Sequence, residues 1–257
     1  MRMLLRRATR PHVVAAALVL PLAVLAWIGA TRAELVAPIL LPELGDVLDR
    51  LWSLFAEGTI RPHLVRTASS VLLGFAIGAV AGIVVAAALT SADRVSQRTY
   101  STMLASLEAV PIVVIAPILN TLFGFGMSSK VAAASVSAFF PVFVTAFAGL
   151  SLVSADELKL MRSLRASRLQ VMVKLRLPAA LPAIFGGLRI AIAFSLVATV
   201  IAEFVGTDRG LGYLMLRFRG AYDTASMWAI ILVFAGLGAI AFVVLQVAER
   251  RVVHWRR

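Results

Sequence analysis

Residues able to carry out catalysis or bind metals are scarce in this chain of 257 residues. It contains no cysteine and only three histidines, which are His12, His63 and His254. The absence of cysteine excludes disulfide scaffolds and thiolate metal sites. So few histidines argue against a metal cage built from them. We therefore expect no metal site on this chain.

The residues needed for nucleotide chemistry and hydrolysis are also missing. No Gly-x-x-x-x-Gly-Lys-Ser/Thr loop surrounds any of the three lysines, which are Lys130, Lys159 and Lys174. An intramembrane hydrolase would need a nucleophile and a base at membrane depth, and the histidines fall at span ends or in tails. No Gly-x-Ser-x-Gly elbow occurs either. The sequence predicts a protein that is not an enzyme.

Two carboxylates, Glu108 and Glu203, lie inside apolar stretches. A carboxylate within a membrane is costly and is therefore a candidate for function. Each of the two lies near one end of its stretch, where it could also reach water. Two interpretations remain open for both residues: a role in a transport pathway or gate, and interfacial or structural pairing.

The composition requires a lipid solvent. Hydrophobic residues make up 61% of the chain and charged residues 15%. Soluble domains contain about 45–50% hydrophobic residues and about 25% charged residues. Six stretches are long and apolar enough to span a membrane, near Val13–Gly29, Leu64–Leu89, Met103–Phe123, Val131–Val153, Ala183–Val205 and Ala225–Val247. The first is interpreted as a span and not a cleaved signal peptide, because Arg32 occupies a position where a cleavage site needs small residues. We predict one transmembrane domain over residues 1–257.

Positive charge predicts the orientation of these spans. In a membrane protein the formal net charge of +12 first reports which loops face the cytoplasm. With the N-terminus inside, most of the 25 Lys and Arg residues fall in inner segments, and Lys130 falls in an outer loop. Both termini are therefore predicted to be cytoplasmic. The fold class is all-α, with six transmembrane helices.

Three features predict how the spans are shaped and packed. The outer segment before Gly58 has apolar residues at three- and four-residue spacing from Leu44 to Phe55, which predicts an amphipathic helix. Small residues at four-residue spacing predict a close helix–helix contact, at Gly74, Gly78 and Gly82. Prolines bend membrane helices, and those of the third and fourth predicted spans are Pro111, Pro117 and Pro141.

The cytoplasmic stretch 154–182 is too polar to span and too patterned to be a tether. Ser154 stands three residues before Glu157, and Ser167 stands three residues before Gln170. Each pair is a capping box, which marks a helix start. Apolar residues follow each box, at Leu158, Met161 and Leu164 and then at Val171, Met172 and Leu175. We predict a helix–turn–helix with a break near Arg165–Ser167 and a second helix ended by Pro178 and Pro182.

This cytoplasmic segment carries six basic residues, and two interpretations compete. A solvated basic loop could simply contact anionic lipid. Two capped amphipathic helices, however, are more ordered than such contact requires, and a short helix with a charged rim suits a groove in another protein. We favour docking to a partner protein.

The pattern resembles binding-protein-dependent ABC importer permeases of the nitrate, sulfonate and taurine type. Their cytoplasmic signature is Glu-Ala-Ala, three residues, Gly, nine residues, and Ile-x-Leu-Pro. Here Leu175-Arg176-Leu177-Pro178 matches its end, Arg165 stands at the glycine, and Lys159-Leu160-Met161 replaces the triplet. Further resemblance covers residues 58–250, most specifically Ala202-Glu203-Phe204-Val205-Gly206 with Gly210-Leu211-Gly212.

The resemblance implies a membrane-spanning importer subunit without a cofactor of its own. It implies a second copy of the permease, an external solute-binding protein, and a cytoplasmic ATPase dimer that holds ATP and magnesium. It implies no nucleic-acid partner and places the chain in the bacterial inner membrane. ATPase-coupling residues would be Glu157, Lys159, Arg162, Arg165, Ala166, Ser167, Arg168, Gln170 and Pro178. Pathway-lining candidates are Pro111, Asn120, Thr121, Ser195, Thr199 and Glu203.

The substrate implied by the resemblance is a small anionic or polar solute such as a sulfonate, nitrate or taurine. Because the external protein selects the ligand in this family, the permease sequence does not identify the substrate. The alternative function is a secondary transporter driven by an ion gradient, with Glu108 and Glu203 titrating in the path. It leaves the paired capping boxes unexplained.

Overall fold

The fold is helical throughout the part of the chain that the structure, a computed structural model, describes. These residues are 11–91, 102–103, 106 and 110–254, and none of them lies in a β-strand. The helices are α1 (Pro11–Arg32), α2 (Leu44–Ala56), α3 (Ile60–Leu89), α4 (Ile112–Phe123), α5 (Met127–Ser151), α6 (Ala155–Ser163), α7 (Arg168–Val171), α8 (Leu177–Phe204), α9 (Leu211–Gly220) and α10 (Thr224–Val252). A five-residue π-helical segment, Met172–Arg176, joins α7 to α8.

Four continuous helical segments in the described residues are long and apolar enough to cross a membrane. They are α3, α5, the run from α7 through α8, and α10. They coincide with the second, fourth, fifth and sixth predicted spans. Helix α1, at 22 residues, covers the first predicted span. Of the third, α4 covers only the second half, and most of the remainder lies outside the described residues.

The chain divides into two compact units. One combines the described residues before Ile60 with Arg217–Leu232, and the other combines Ile60–Leu216 with the described residues from Val233 onward. In the first unit, the predicted amphipathic helix is confirmed as α2. It buries Val47 and Leu54 completely or almost completely, while Trp52 on another face is 76% exposed.

Helix α2 is held by an ion pair within the first unit. Arg50 donates to the Asp223 carboxylate at 3.1 Å and to the Ser226 hydroxyl at 2.7 Å. Partial burial of Asp223 favours its neutral form, but hydrogen bonds from Ser226 and Arg50 outweigh that effect and lower the pKa of Asp223. The carboxylate also accepts the Ser226 backbone N–H at 3.0 Å, at the first turn of α10.

The core of the second unit forms where α5 packs between α3 and α8. Gly74, Gly78 and Gly82 all face α5, because a Cβ added to each would meet its atoms. At Gly78 an added Cβ would lie 2.8 Å from Ala138 Cβ, and at Gly82 it would lie 2.9 Å from the Phe139 carbonyl oxygen. Both distances are shorter than real contacts allow. Small residues thus bring the two backbones together, as the four-residue spacing suggests.

The prediction that Pro178 and Pro182 end the second cytoplasmic helix is wrong. Both lie within the first turns of α8, which continues α7 and the π-helical segment into the fifth predicted span. The physical reason is the π-helical segment before them, in which Leu177 N–H bonds to the carbonyl of Met172, five residues back. This change of hydrogen-bond register just before Pro178 accommodates residues that cannot donate.

Candidate functional site: the coupling segment and a buried polar cluster

Both predicted capping boxes are confirmed in the segment 154–182, hereafter the coupling segment. Glu157 N–H donates to Ser154 Oγ at 3.2 Å, and Ser154 N–H donates to the Glu157 carboxylate at 2.8 Å. Gln170 N–H donates to Ser167 Oγ at 3.2 Å, and Ser167 N–H donates to Gln170 Oε1 at 2.8 Å. Each box satisfies donors that a helix start would leave unpaired. The starts of α6 and α7 are therefore fixed by local contacts.

Ionisation of Glu157 contributes to the first of these caps. The backbone N–H and then the hydroxyl of Ser154 donate to its carboxylate, and these bonds lower the pKa of Glu157. A negative charge in the first turn also lies favourably in the field of the helix dipole. At neutral pH the cap is thus charged and complete.

The turn between α6 and α7 has a defined geometry. Arg165 has a φ of +54°, in the left-handed region. Arg165 N–H donates to the Arg162 carbonyl at 2.9 Å, and Ala166 N–H donates to the Met161 carbonyl at 3.0 Å. This pair of bonds is a Schellman motif, which usually has glycine at its left-handed position. Arg165 keeps the glycine conformation, so the helix end has the geometry that glycine would give it.

The coupling segment presents charged and apolar groups to its surroundings together. Arg162, Arg165 and Arg168 are exposed, and Lys159 pairs with Asp156 at 2.9 Å in solvent. Three leucines are largely exposed beside them, with exposed fractions of 61%, 68% and 73% at Leu160, Leu164 and Leu169. Clustered apolar exposure on a polar segment is typical of an interaction surface. Sequence reasoning noted Leu164 but missed the other two, although Leu160 and Leu164 are one helical turn apart.

The remaining coupling candidates support the helices of the segment. Ser167 and Gln170 are exposed and form the second capping box. Ala166 is half-buried after the left-handed turn, and Pro178 is half-buried in the first turn of α8. These placements bring the nine candidates into one continuous stretch of structure.

Side chains fix the coupling segment to the spans. Met172 and Leu177 pack against the buried cluster that contains Phe143 and Leu150 of α5. Arg176 donates to the carbonyl of Thr90, at the end of α3, at 2.6 Å. The segment is therefore connected to three apolar helices, covalently to α8 and by contact to α3 and α5.

A second polar site lies buried among α3, α5 and α8. The Glu203 carboxylate, on a residue only 1% exposed, accepts the Thr67 hydroxyl at 2.8 Å and the Gly212 N–H at 2.8 Å. It forms an ion pair with Lys130 at 3.6 Å. The Thr67 hydroxyl in turn accepts the Leu211 N–H at 2.8 Å. Glu203 is thus paired and hydrogen-bonded, as a buried charge requires.

Lys130 corrects the sequence analysis, which placed it in an outer loop. It lies in the first turn of α5 and is 1% exposed. Besides Glu203, its ammonium contacts the Arg209 carbonyl. Its partners stand 73 and 79 residues further along the chain, so no local pattern revealed them. A buried carboxylate needs a counter-charge, and this requirement was the available signal.

The glycines after Glu203 make room for its carboxylate. Gly210 has a φ of +130°, and a Cβ there would overlap the Glu203 carboxyl group. A Cβ at Gly212 would lie 2.9 Å from Glu203 Cβ. His63 adds a contact, since its Nδ1 accepts the Gly210 N–H at 3.1 Å. The Glu203…Gly210-Leu211-Gly212 pattern therefore encodes a turn that folds back onto its own glutamate.

The other pathway candidates fall into two groups. Asn120, Ser195 and Thr199 are buried; Ser195 and Thr199 donate to backbone carbonyls, whereas neither amide atom of Asn120 has a partner among the described residues. Pro111 and Thr121 are exposed. Pro111 lines an apolar cavity of about 260 Å³ between α4, α5 and α8. The structure does not bring the six candidates together into one lining.

Two further sequence predictions concern Glu108 and metal binding. Glu108 lies outside the described residues. Among residues 11–91, 102–103, 106 and 110–254, no group of three or more His, Asp or Glu side chains is arranged to hold a metal ion.

Comparison with known proteins supplies the family. The chain is similar to the formylaminopyrimidine transport permease protein ThiX of Halalkalibacterium halodurans, 29% identical over 86% of this chain and 87% of that protein. It is also similar to the taurine transport system permease protein TauC of Escherichia coli, 29% identical over 89% of this chain and 85% of that protein.

A solved structure of the MetNI methionine ABC transporter in an inward-facing conformation shares the fold. The TM-score is 0.61 at 20% identity, over 75% of this chain and 94% of that chain. The family described as binding-protein-dependent transport system inner membrane component matches residues 74–254. The chain belongs to this family of ABC transporter permeases and is a multi-pass protein of the inner membrane.

Proposed function

We propose that the coupling segment receives mechanical work from a cytoplasmic ATPase and transmits it to the spans of an importer. ATP and magnesium would be held by the partner, and this chain would hold no cofactor. The nine coupling residues, from Glu157 to Pro178, would form the docking surface. The protein would be a transport subunit and not an enzyme.

One structural observation carries this proposal: the coupling segment is ordered, exposed and continuous with a span. Two capping boxes and a Schellman turn fix its shape. Exposed leucines and arginines give it the apolar centre and charged rim of a protein interface. An effector shifts a two-state equilibrium only through contacts that differ between the states. A rigid segment joined to α8 can convert such contacts into movement of a span.

The topology of the proposed transporter follows from charge and helix count. We infer six spans, with both termini and the coupling segment in the cytoplasm, in one permease domain. The excess of Lys and Arg in the inner segments supports this orientation. Two copies of the chain would enclose the pathway, and an external binding protein would deliver the solute.

Within the proposed pathway, Pro111 and Thr121 are the candidates exposed in the single chain. The buried candidates Asn120, Ser195, Thr199 and Glu203 would shape the pathway from behind or reach it after a rearrangement. Pairing of Glu203 with Lys130, Thr67 and Gly212 favours a structural role over proton carriage along an ion gradient.

The proposed substrate is a small anionic or polar solute, of the sulfonate, nitrate or taurine type. Similarity to a taurine permease supports it, and similarity to a formylaminopyrimidine permease adds a polar heterocycle to the range. A thermal-shift screen of the cognate binding protein tests this, because a ligand that binds only the native form raises its apparent stability. Raised midpoints with sulfonates or taurine support the assignment, and no response to any of these solutes contradicts it.

Charge reversal tests the docking surface. We expect R162E/R168E to abolish ATP-dependent uptake and weaken ATPase association by at least tenfold, while membrane insertion is unchanged. Reversing two charges on the rim of an interface replaces attraction by repulsion. R250E/R251E is the matched control, because it reverses two exposed arginines at the end of α10 and should leave uptake intact. Wild-type uptake and association in R162E/R168E would contradict the proposal.

A further inference from the structure

A polar cavity of about 430 Å³ lies between the coupling segment and the cytoplasmic end of α3. Its lining includes Thr90 and Ser91 at the end of α3 and Met172 of the π-helical segment. The other polar groups of its lining are three arginines, Arg162, Arg168 and Arg176. We refer to it as the arginine cavity.

No acidic residue lines the arginine cavity among the residues that the structure describes, and none of the three guanidinium groups forms an ion pair there. Three like charges around one cavity repel one another, and this repulsion is relieved by a bound anion. The spare donors point to the same conclusion. Arg176 uses Nη1 for the Thr90 carbonyl, while its buried Nε has no partner.

The chemistry of the cavity selects the class of anion. Guanidinium groups bind phosphate through forked, charge-assisted hydrogen bonds, and several of them around one pocket favour a tetrahedral oxyanion. The cavity lies where α3 ends, at the edge of a spanning helix. Basic pockets at the cytoplasmic ends of spans are suited to lipid headgroups.

We propose that the arginine cavity binds a phosphate group, carried by an anionic phospholipid headgroup or present as the free ion. Bound phosphate would bridge α3, through Arg176, to the helices α6 and α7 that carry Arg162 and Arg168. It would stabilise the coupling segment against the spans. Arg162 and Arg168 also belong to the proposed docking surface, whereas Arg176 lies outside it, and phosphate binding needs no partner protein.

The test measures thermal unfolding of the purified full chain in bilayer nanodiscs. In phosphatidylcholine, sodium phosphate is titrated at constant ionic strength against sodium chloride. In a second arm, phosphatidylglycerol replaces part of the phosphatidylcholine. A ligand that binds the native form raises the unfolding midpoint by mass action. A rise with phosphate identifies the free ion, and a rise with phosphatidylglycerol alone identifies the headgroup.

Two matched variants decide where the ligand binds. Arg176→Gln should raise the ligand concentration that gives half of the midpoint shift by at least tenfold. This is the loss of affinity expected when one charge-assisted hydrogen bond is removed. Lys174→Gln removes an exposed charge two residues away that does not line the cavity, and should keep the full response. If Arg176→Gln folds poorly, Arg162→Gln/Arg168→Gln tests the same cavity from exposed positions.

The outcomes separate clearly. The proposal is overturned if the unfolding midpoint rises in neither arm. It is also overturned if Arg176→Gln and Lys174→Gln lose the response equally, because that would indicate only general charge attraction. Because this test measures the stability of the chain without a partner, a negative result would not count against the proposal that the ATPase docks on the coupling segment. Failure of R162E/R168E to impair uptake would in turn leave phosphate binding standing.

Discussion

Arg165 occupies a left-handed backbone conformation that favours glycine. A side chain with a Cβ costs about 1–2 kcal/mol there, partly offset by the greater freedom that glycine loses on folding. We predict that Arg165→Gly stabilises the turn by about 0.5–1 kcal/mol. Hydrogen exchange of the Arg165 and Ala166 amides should slow, because their Schellman bonds open less often. Arg162→Gly, the same change inside α6, should speed exchange, and faster exchange in both variants would contradict the account.

Lys130 and Glu203 form a buried pair whose members depend on each other. Removing one partner leaves an uncompensated buried charge, at a cost of about 3–5 kcal/mol. We predict that Lys130→Met strongly lowers the unfolding midpoint in detergent. The double variant Lys130→Met/Glu203→Gln should recover much of the loss. A double variant no more stable than Lys130→Met would show that the pair is not the source of stability.

Because Asp223 pairs with Arg50 of α2, its ionisation makes the stability of the protein depend on pH. Its pKa in the folded chain is lowered, so the ionised form contributes stability that is present above the unfolded pKa and is lost as pH falls through the folded pKa. We predict that the stability advantage of the wild type over Asp223→Asn shrinks as the pH falls from about 5 to about 2. Unfolding midpoints of both proteins across this range measure it. An advantage that grows on acidification would reverse the sign and contradict the account.

At the scale of elements, the contact between α3 and α5 depends on glycine. We predict that Gly78→Ala destabilises the protein by about 1–3 kcal/mol, because the added Cβ would overlap α5. Gly236→Ala is the matched control. No atom of a neighbouring element lies within 4 Å of a Cβ there, and alanine favours a helix over glycine by up to about 1 kcal/mol. Unfolding midpoints should therefore shift in opposite directions, and equal shifts would argue against close α3–α5 packing.

Local chemistry explains which elements the sequence predicts. The capping boxes at Ser154 and Ser167 are visible because both partners lie three residues apart. The amphipathic α2 is visible because its apolar period is local. The continuation of the helix through Pro178 was missed, since a proline normally signals a helix start or end and the π-helical register change has no sequence mark.

Contacts between distant elements explain what the sequence does not predict at the candidate sites. Glu203 was a candidate from its type and its apolar surroundings, but Thr67 and Lys130 come from α3 and α5 and are set by packing. The arginine cavity likewise requires the end of α3 to meet the coupling segment. Sequence analysis found the six basic residues of that segment without locating the cavity that three of them line.

At the scale of the whole molecule, the coupling segment would connect the proposed partner ATPase to the spans. The capping boxes fix the shape of the segment. Its exposed apolar surface is formed by Leu160, Leu164 and Leu169. The segment continues into α8, which connects it to a span. The family is that of binding-protein-dependent transport components. In the proposed importer, movement of this segment and of the fifth span would therefore be one event.

The absence of native cysteine allows a direct test of this account by single-cysteine labelling. Leu164→Cys, at a position 68% exposed, is treated with a membrane-impermeant maleimide, with Val252→Cys at the end of α10 as the control. We predict that neither site is labelled from outside intact cells. In inside-out vesicles, both should react without the ATPase, and bound ATPase should protect Leu164→Cys alone. Labelling of Leu164→Cys from outside, or unchanged labelling with the ATPase bound, would contradict the central claim.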